Sequence, residues 1–302
     1  MELPKGVYPT MVTPMHPDGG VDYGALDGLT DWFLDARVAG LFTVCQSSEM
    51  FLLTPEERLQ VATRVKQRAG DVPVVACGTF GGTIAAQAGF VRELAKVVDA
   101  VVCVTGVLVA ADEDDAVLLG RLRELADLTP GVPLGLYECP KPYHRVLAPA
   151  TLAAVAATGR FVFHKDTSRD PEAIRAKIDA LRVAPTHNMW FFNGNVATLY
   201  RSLLDGGDGF SGISCNFYPW LHVWLVSHPT HEHAPKVHTF LAVAENTAKD
   251  CYPLSAKTYH MLFYGGGRPA ARSVTTPLLP EQIVKLSALH AMMSDVCSTV
   301  GI

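Results

Sequence analysis

The feature that most constrains this chain is an alternation. Short apolar runs are each followed by a stretch of helical periodicity, and the unit recurs eight times. The runs lie at residues 6–14, 40–44, 72–77, 100–104, 132–137, 161–165, 189–192 and 209–214. They are continuous rather than alternating, as expected of parallel strands buried on both faces. Helix starts are marked between them. Asp22 precedes Leu26, Leu29, Phe33 and Leu34, and Thr54-Pro55-Glu56-Glu57 supplies an N-cap, a first-position proline and first-turn acids. Further helices are predicted at about 85–97, 114–127, 149–157, 171–181 and 196–204. Eight such units fit an α/β fold, a (β/α)8 TIM barrel over residues 1–217. A doubly wound open sheet would want a dinucleotide fingerprint after its first strand, and residues 11–20 contain none. Residues 218–302 read as a C-terminal helical extension, segmented by Pro229, Pro253, Pro277 and Pro280, that packs on the barrel or on a neighbouring subunit.

Composition narrows the setting. A 49% hydrophobic, 18% charged chain of 302 residues has ample material for a large core. A net charge of -5 argues against nucleic acid or an anionic membrane as partner. The seven cysteines form no CxxC pair, which suggests a reducing compartment. The first residues do not resemble a secretory leader, and no run approaches the ~20 apolar residues that span a bilayer. The expectation is a cytoplasmic protein.

In a barrel of this kind chemistry sits where the strands end. The outstanding residue there is Lys165, which closes the run Phe161-Val162-Phe163-His164. Side chains alternate along a strand, so Phe161, Phe163 and Lys165 share the inner face, and His164 turns to the helices in a structural role. An amine nucleophile must be neutral, and burial lowers a lysine pKa. A drop of about 3 units would cost roughly 4 kcal/mol, acceptable only if the residue does chemistry. An ion pair with Asp166 or Glu49 is the bland alternative. Tyr137 ends the preceding strand after the small inward residues Pro133 and Gly135, where a phenol can carry protons.

Several motifs together resemble one family. They are Tyr8-Pro9-Thr10-Met11-Val12-Thr13-Pro14, Cys45-Gln46-Ser47-Ser48-Glu49 leading to Leu53-Thr54-Pro55-Glu56-Glu57-Arg58, Leu136-Tyr137-Glu138-Cys139-Pro140, and His164-Lys165-Asp166-Thr167. The Gly194 loop, Gly207-Asp208-Gly209 leading to Asn216, and Tyr252-Pro253-Leu254-Ser255-Ala256-Lys257 also fit. Over about residues 4–295 the chain resembles the dihydrodipicolinate synthase / N-acetylneuraminate lyase family of Schiff-base aldolases. The resemblance implies a homotetramer (a dimer of dimers) and a 2-oxo acid such as pyruvate bound as an imine to Lys165. It implies Tyr137 as the catalytic tyrosine, and neither metal nor separate cofactor. Gln46, Ser47 and Ser48 fall where the family holds the carboxylate, and Thr167, Gly194 and Ile213 fall around the rest of the substrate.

The departures are as informative. Cys45 and Ser48 replace two glycines of the carboxylate loop, and Gln46 replaces a hydroxyl of the family's proton relay. Residues 105–109, Thr-Gly-Val-Leu-Val, lack the relay's other tyrosine, and Pro142 stands where synthases carry arginine. Lysine-precursor synthesis is therefore not expected. Val196, Ala197 and Ile213 replace the polar groups with which sialic-acid lyases hold a sugar. With Val107, Leu108, Ile213 and Phe217 the mouth reads as apolar. The expected reaction is aldol cleavage or addition between a 2-oxo acid and an apolar or aromatic aldehyde. A dehydratase or hydratase-aldolase of the same type, or a non-catalytic 2-oxo acid binder, remains open. His222, His228, His231, His233 and His238 read as solvated surface rather than a metal site. Gly78 to Gly82 reads as a loop turn and Gly265-Gly266-Gly267 as a helix-ending turn.

Overall fold

A computed structural model describes residues 2–184 and 188–302. The chain opens with β1 (Gly6–Val7), α1 (Tyr23–Asp35), β2 (Leu41–Thr43), α2 (Pro55–Ala69), β3 (Val74–Cys77) and α3 (Ile84–Leu94). It continues through β4 (Ala100–Val104), α4 (Thr105–Leu108), α5 (Asp115–Leu128), β5 (Leu134–Tyr137), α6 (Pro149–Ala156), β6 (Phe161–Asp166) and α7 (Pro171–Val183). The barrel ends with β7 (Trp190–Asn193), α8 (Val196–Leu204) and β8 (Gly209–Phe210). Helices α9 (Pro219–Ser227), α10 (Ala234–Lys249), α11 (Leu254–Tyr264) and α12 (Pro280–Val300) complete the chain.

All strand pairs are parallel, in the order β1-β8-β7-β6-β5-β4-β3-β2. A parallel bridge between Thr10 and Phe42 joins the two ends of that order, with Met11 N–H donating to the Phe42 carbonyl at 2.9 Å. The result is the expected (β/α)8 barrel with a C-terminal helical extension. The marked helix starts form as read: Asp22 accepts from Ala25 N–H, and Thr54 and Glu57 cap each other reciprocally.

Two strands are shorter than their apolar runs. β1 covers two residues, because Pro9 and Pro14 lack the N–H a ladder needs. β8 stops at Phe210, and a 3-10 turn over Ile213–Asn216 takes the chain away. Gly209 has to be glycine, because a Cβ there would collide with the Gly6 carbonyl oxygen. The segment after β4 makes the short helix α4.

The barrel interior is filled by aromatic rings. Phe163 stacks on Phe192 at 4.6 Å between centroids and meets Tyr8 at 5.5 Å and Phe42 at 5.6 Å, edge to face. All four are fully buried. This plug closes the barrel from below, so the next residue up each strand forms the floor of the mouth. On β6 that residue is Lys165.

In the extension, α10 lies against α8, α9 and α12, and Gly265 ends α11 in the left-handed region at φ 70°. His222 departs from the expected solvated surface. It is buried, stacks on Phe210 and Tyr218, and bonds Ser214 Oγ at 2.9 Å. α9 turns its apolar face onto β8 and carries the ring inward. His228, His231 and His233 form an aromatic run near the surface. Among the described residues no helix is long and apolar enough to cross a membrane.

Candidate active site

β5 and β6 pair in register so that Tyr137 and Lys165 stand side by side at the barrel mouth. Lys165 is 4% exposed. Its Nζ lies 4.3 Å from the Tyr137 ring centroid and 5.6 Å from that of Phe42. Among the described residues it makes neither a hydrogen bond nor an ion pair. Desolvation lowers its pKa, and the buried thiols of Cys45, Cys139, Cys77 and Cys215 oppose this only in part. The alternative reading, an ion pair to Asp166 or Glu49, is not realised. Asp166 points to the opposite face of β6, and Glu49 is held by Lys257.

Behind β5 and β6 lies a second, fully buried polar group. Lys177, from α7, bonds Glu138 Oε1 at 2.5 Å and Asp166 Oδ2 at 2.6 Å. Glu138 also accepts from Leu147 N–H at 2.9 Å and Thr167 N–H at 3.0 Å. Burial, only partly offset by Lys177, pushes Glu138 up to about 7. Asp166 is shifted down: burial works against it, but Lys177 and the bond from Ser168 win. His164 shares this face, as its alternation requires, 3.7 Å from Glu138. Burial first, then the Lys177 charge, pushes it down to about 3, so it is neutral. Glu138, His164 and Asp166 could in principle ligate a metal. The Lys177 ammonium already supplies the positive charge that the two carboxylates need.

The loop after β2 has a defined shape. Its left-handed residues are Val44 at φ 46° and Glu49 at φ 59°. Cys45 is extended at φ -118°, and Ser48 belongs to a 3-10 turn over Gln46–Ser48. The two former glycine positions therefore need no positive φ, and the side chains there cause no strain. Ser48 works internally: its Oγ donates to the Met11 carbonyl at 2.7 Å and accepts from Cys45 N–H at 3.1 Å, while its N–H goes to the Cys45 carbonyl. Among the described residues the N–H groups of Gln46 and Ser47 have no protein acceptor. Ser47 is almost fully buried and Gln46 half-buried, with its Oε1 3.8 Å from the Cys139 thiol. That thiol also faces the Tyr137 phenol, whose pKa burial drives far up.

The C-terminal extension reaches this loop. Lys257 Nζ bonds Glu49 Oε1 at 2.7 Å, and Ser273 N–H bonds Glu49 Oε2 at 2.6 Å. Tyr252 OH accepts from Asn216 Nδ2 at 3.1 Å.

Gly194 lies against the lysine. A Cβ there would stand 2.6 Å from the Asp166 carbonyl oxygen and 3.1 Å from both Lys165 Cε and Thr167 Cγ2. Thr167 thus sits beside the amine, its hydroxyl bonded to the Glu138 carbonyl and to His144 Nε2. Val107 and Ile213 are half-buried at strand ends. Phe217, read as part of the mouth, is not there: it is fully buried against Tyr218 and Tyr259 of the extension.

Sequence reasoning missed His144, Cys139, Lys177, Lys257 and Tyr252. Lys177 had a local signal, since it interrupts the apolar stripe Ile174, Ile178, Leu181 on one face of α7. Cys139, Tyr252 and Lys257 fell within motifs already singled out, but their partners are remote in sequence, 93 residues away for Cys139 and 208 for Lys257, so no role could be read for them. His144 sits in an irregular loop that nothing local marks.

The comparisons agree with this geometry. The profile described as "Dihydrodipicolinate synthetase family" matches residues 3–293. A probable 5-dehydro-4-deoxyglucarate dehydratase from Streptomyces griseus is 32% identical over 61% of this chain and 56% of its own, a little over half its length. A 4-hydroxy-tetrahydrodipicolinate synthase from Polynucleobacter asymbioticus is 28% identical over 72% of this chain and 70% of its own. In fold, the sialic acid aldolase of Ruminococcus gnavus superposes with a TM-score of 0.85 over 99% of both chains at 17% identity.

Proposed function

The chain belongs to the dihydrodipicolinate synthetase family, and on that premise we propose that it forms an imine between Lys165 and pyruvate or a related 2-oxo acid. The imine then serves reversible aldol cleavage and addition with an aldehyde. The observation that carries this reading is the Lys165 amine itself: buried, without a counter-ion, and lowered in pKa by desolvation. Its lone pair attacks the ketone carbon, and loss of water leaves a protonated imine that withdraws electrons from the neighbouring C–C bond. Tyr137, on the adjacent strand, carries protons to and from the carbinolamine and the aldol oxygen.

The carboxylate goes to the Gln46–Ser48 turn. The two N–H groups without acceptors, Gln46 and Ser47, and the Ser47 hydroxyl receive it. Ser48 gives the turn its shape. Val107 and Ile213 give part of the acceptor side an apolar surface. No metal takes part, and the working assembly is a homotetramer, testable by light scattering.

Dehydration through the same imine is a second reading, favoured by the relatives named as dehydratases. A third, a binder without chemistry, is opposed by the unpaired amine.

Borohydride reduction in the presence of pyruvate tests the proposal. Intact mass should rise by one reduced pyruvate, on Lys165, and Lys165→Ala should abolish the adduct. An unmodified wild-type chain after reduction would sink the imine. Release of pyruvate from aromatic versus sugar-derived 2-oxo acids then separates acceptors, and water loss without C–C cleavage would favour the dehydratase.

A further inference from the structure

The segment between β5 and α6 is anchored at several points. Arg145 bonds the Glu113 carbonyl and Asp115, each at 2.8 Å. Tyr143 OH donates to the Val109 carbonyl at 2.7 Å, and Leu147 N–H is held by Glu138. These anchors set His144 beside Thr167, with Nε2 2.8 Å from Oγ1.

The direction of that bond follows from proton counting. The Thr167 hydroxyl has one proton and gives it to the Glu138 carbonyl oxygen, which can only accept. At His144 the hydroxyl must therefore accept, and the imidazole donates. His144 is the Nε2–H tautomer, with its lone pair on Nδ1. The residue is exposed, but desolvation on its protein side, and next the charge of Arg169, hold its pKa below the ordinary histidine value, which favours the neutral ring at pH 7. Nδ1 has no partner among the described residues, and Thr167 Oγ1 retains one lone pair. The pair thus presents two acceptors and no donor, and the methyl group of Thr167 shares the Gly194 position with Lys165 Cε.

We propose that His144 is a specificity-determining residue which, with Thr167, accepts a hydrogen bond from a hydroxyl on the aldehyde half of the substrate. The inference rests on the imine reading above and narrows it. An acceptor carrying a hydroxyl at this corner is held. One with a carbonyl or carboxylate oxygen there sets lone pair against lone pair and is rejected.

The test pairs two readouts on the full-length protein. The first is aldol addition of pyruvate to glyceraldehyde and to butanal, with borohydride trapping of pyruvate run alongside. Wild type should prefer glyceraldehyde by about 10- to 100-fold in kcat/KM. His144→Ala should lose that preference through KM while keeping butanal turnover and pyruvate trapping. His144→Gln, which retains an N–H for Thr167, should restore part of it. Equal losses on both aldehydes, or none on either, overturn the proposal. The second readout, the imidazole 15N spectrum at pH 7, needs no turnover. A neutral Nε2–H ring is expected; a charged ring or the Nδ1–H tautomer overturns the proposal. Absent trapping in wild type counts against the imine, and the 15N spectrum still decides the state of His144.

Discussion

Two buried lysines stand on opposite sides of β6, and they are solved in opposite ways. Lys177 is fully buried between Glu138 and Asp166, with short bonds to both. Lys165 is nearly as buried and has an aromatic ring where a counter-ion would be. Removing a charge from water costs several kcal/mol unless a partner recovers it. Lys177 recovers it through two carboxylates and ties α7 to the ends of two strands. Lys165 does not, so the folded state itself favours the uncharged amine. Burial alone therefore does not favour the neutral amine; burial without a carboxylate does.

Removing the lysines breaks the comparison most directly. Lys165→Ala should bring pyruvate trapping and turnover to background, a loss of at least ~10³-fold, in a chain that still folds, read by mass and circular dichroism. Tyr137→Phe should leave trapping possible and cut turnover by about 10²- to 10⁴-fold, since only a proton carrier is lost. Lys177→Met should show the converse. It should cost about 3–5 kcal/mol in urea unfolding by leaving two buried carboxylates without a cation, while the molecules that fold still trap pyruvate.

Acid sharpens the contrast from the other side. His164, pushed down to about 3, and His222 and His260, each to about 4, refuse protons that the unfolded chain takes up near 6.5. Their stabilisation is present above 6.5 and is lost as pH falls toward 4. Glu138, raised to about 7, works oppositely: the folded chain keeps a proton that the unfolded chain has released above about 4.5. Three protons against one leaves about two, so stability should fall by on the order of 3 kcal/mol for each pH unit of acidification near pH 5, measured by urea titration. A flat profile between pH 6 and 4.5 would contradict the neutral histidines. The smallest effect is Lys165→Met, which should raise stability by about 1–2 kcal/mol while destroying function. A destabilised Lys165→Met would mean that the amine has a partner after all.

Much of this was legible in the order of residues. Apolar runs buried on both faces cannot alternate, so β2 to β7 stood out, and Asp22 and Thr54 announced their helices. Period-two alternation put Lys165 inward and His164 outward, and the fold obeys it. Local pattern fails where a partner is remote. Glu49 read as a mate for Lys165, but Lys257 lies 208 residues downstream and takes it. Phe217 read as lining the mouth, but the tertiary course of the chain after Phe210 decides its direction. The glycine replacements at Cys45 and Ser48 seemed to threaten the loop because sequence does not say which residues carry positive φ; Val44 and Glu49 do. His144 carried no signal, since its place is set by the Thr167 hydroxyl, in the loop just past β6.

The clasp on Glu49 has a consequence for synthesis. The barrel strands and both Lys165 and Tyr137 are complete by residue 217, but the loop facing them is fastened by Lys257 and Ser273. A ribosome delivers those last. During translation the growing chain therefore carries Lys165 and Tyr137 before the loop that faces them is fastened, and residues 252–273 act as the latch that fixes it.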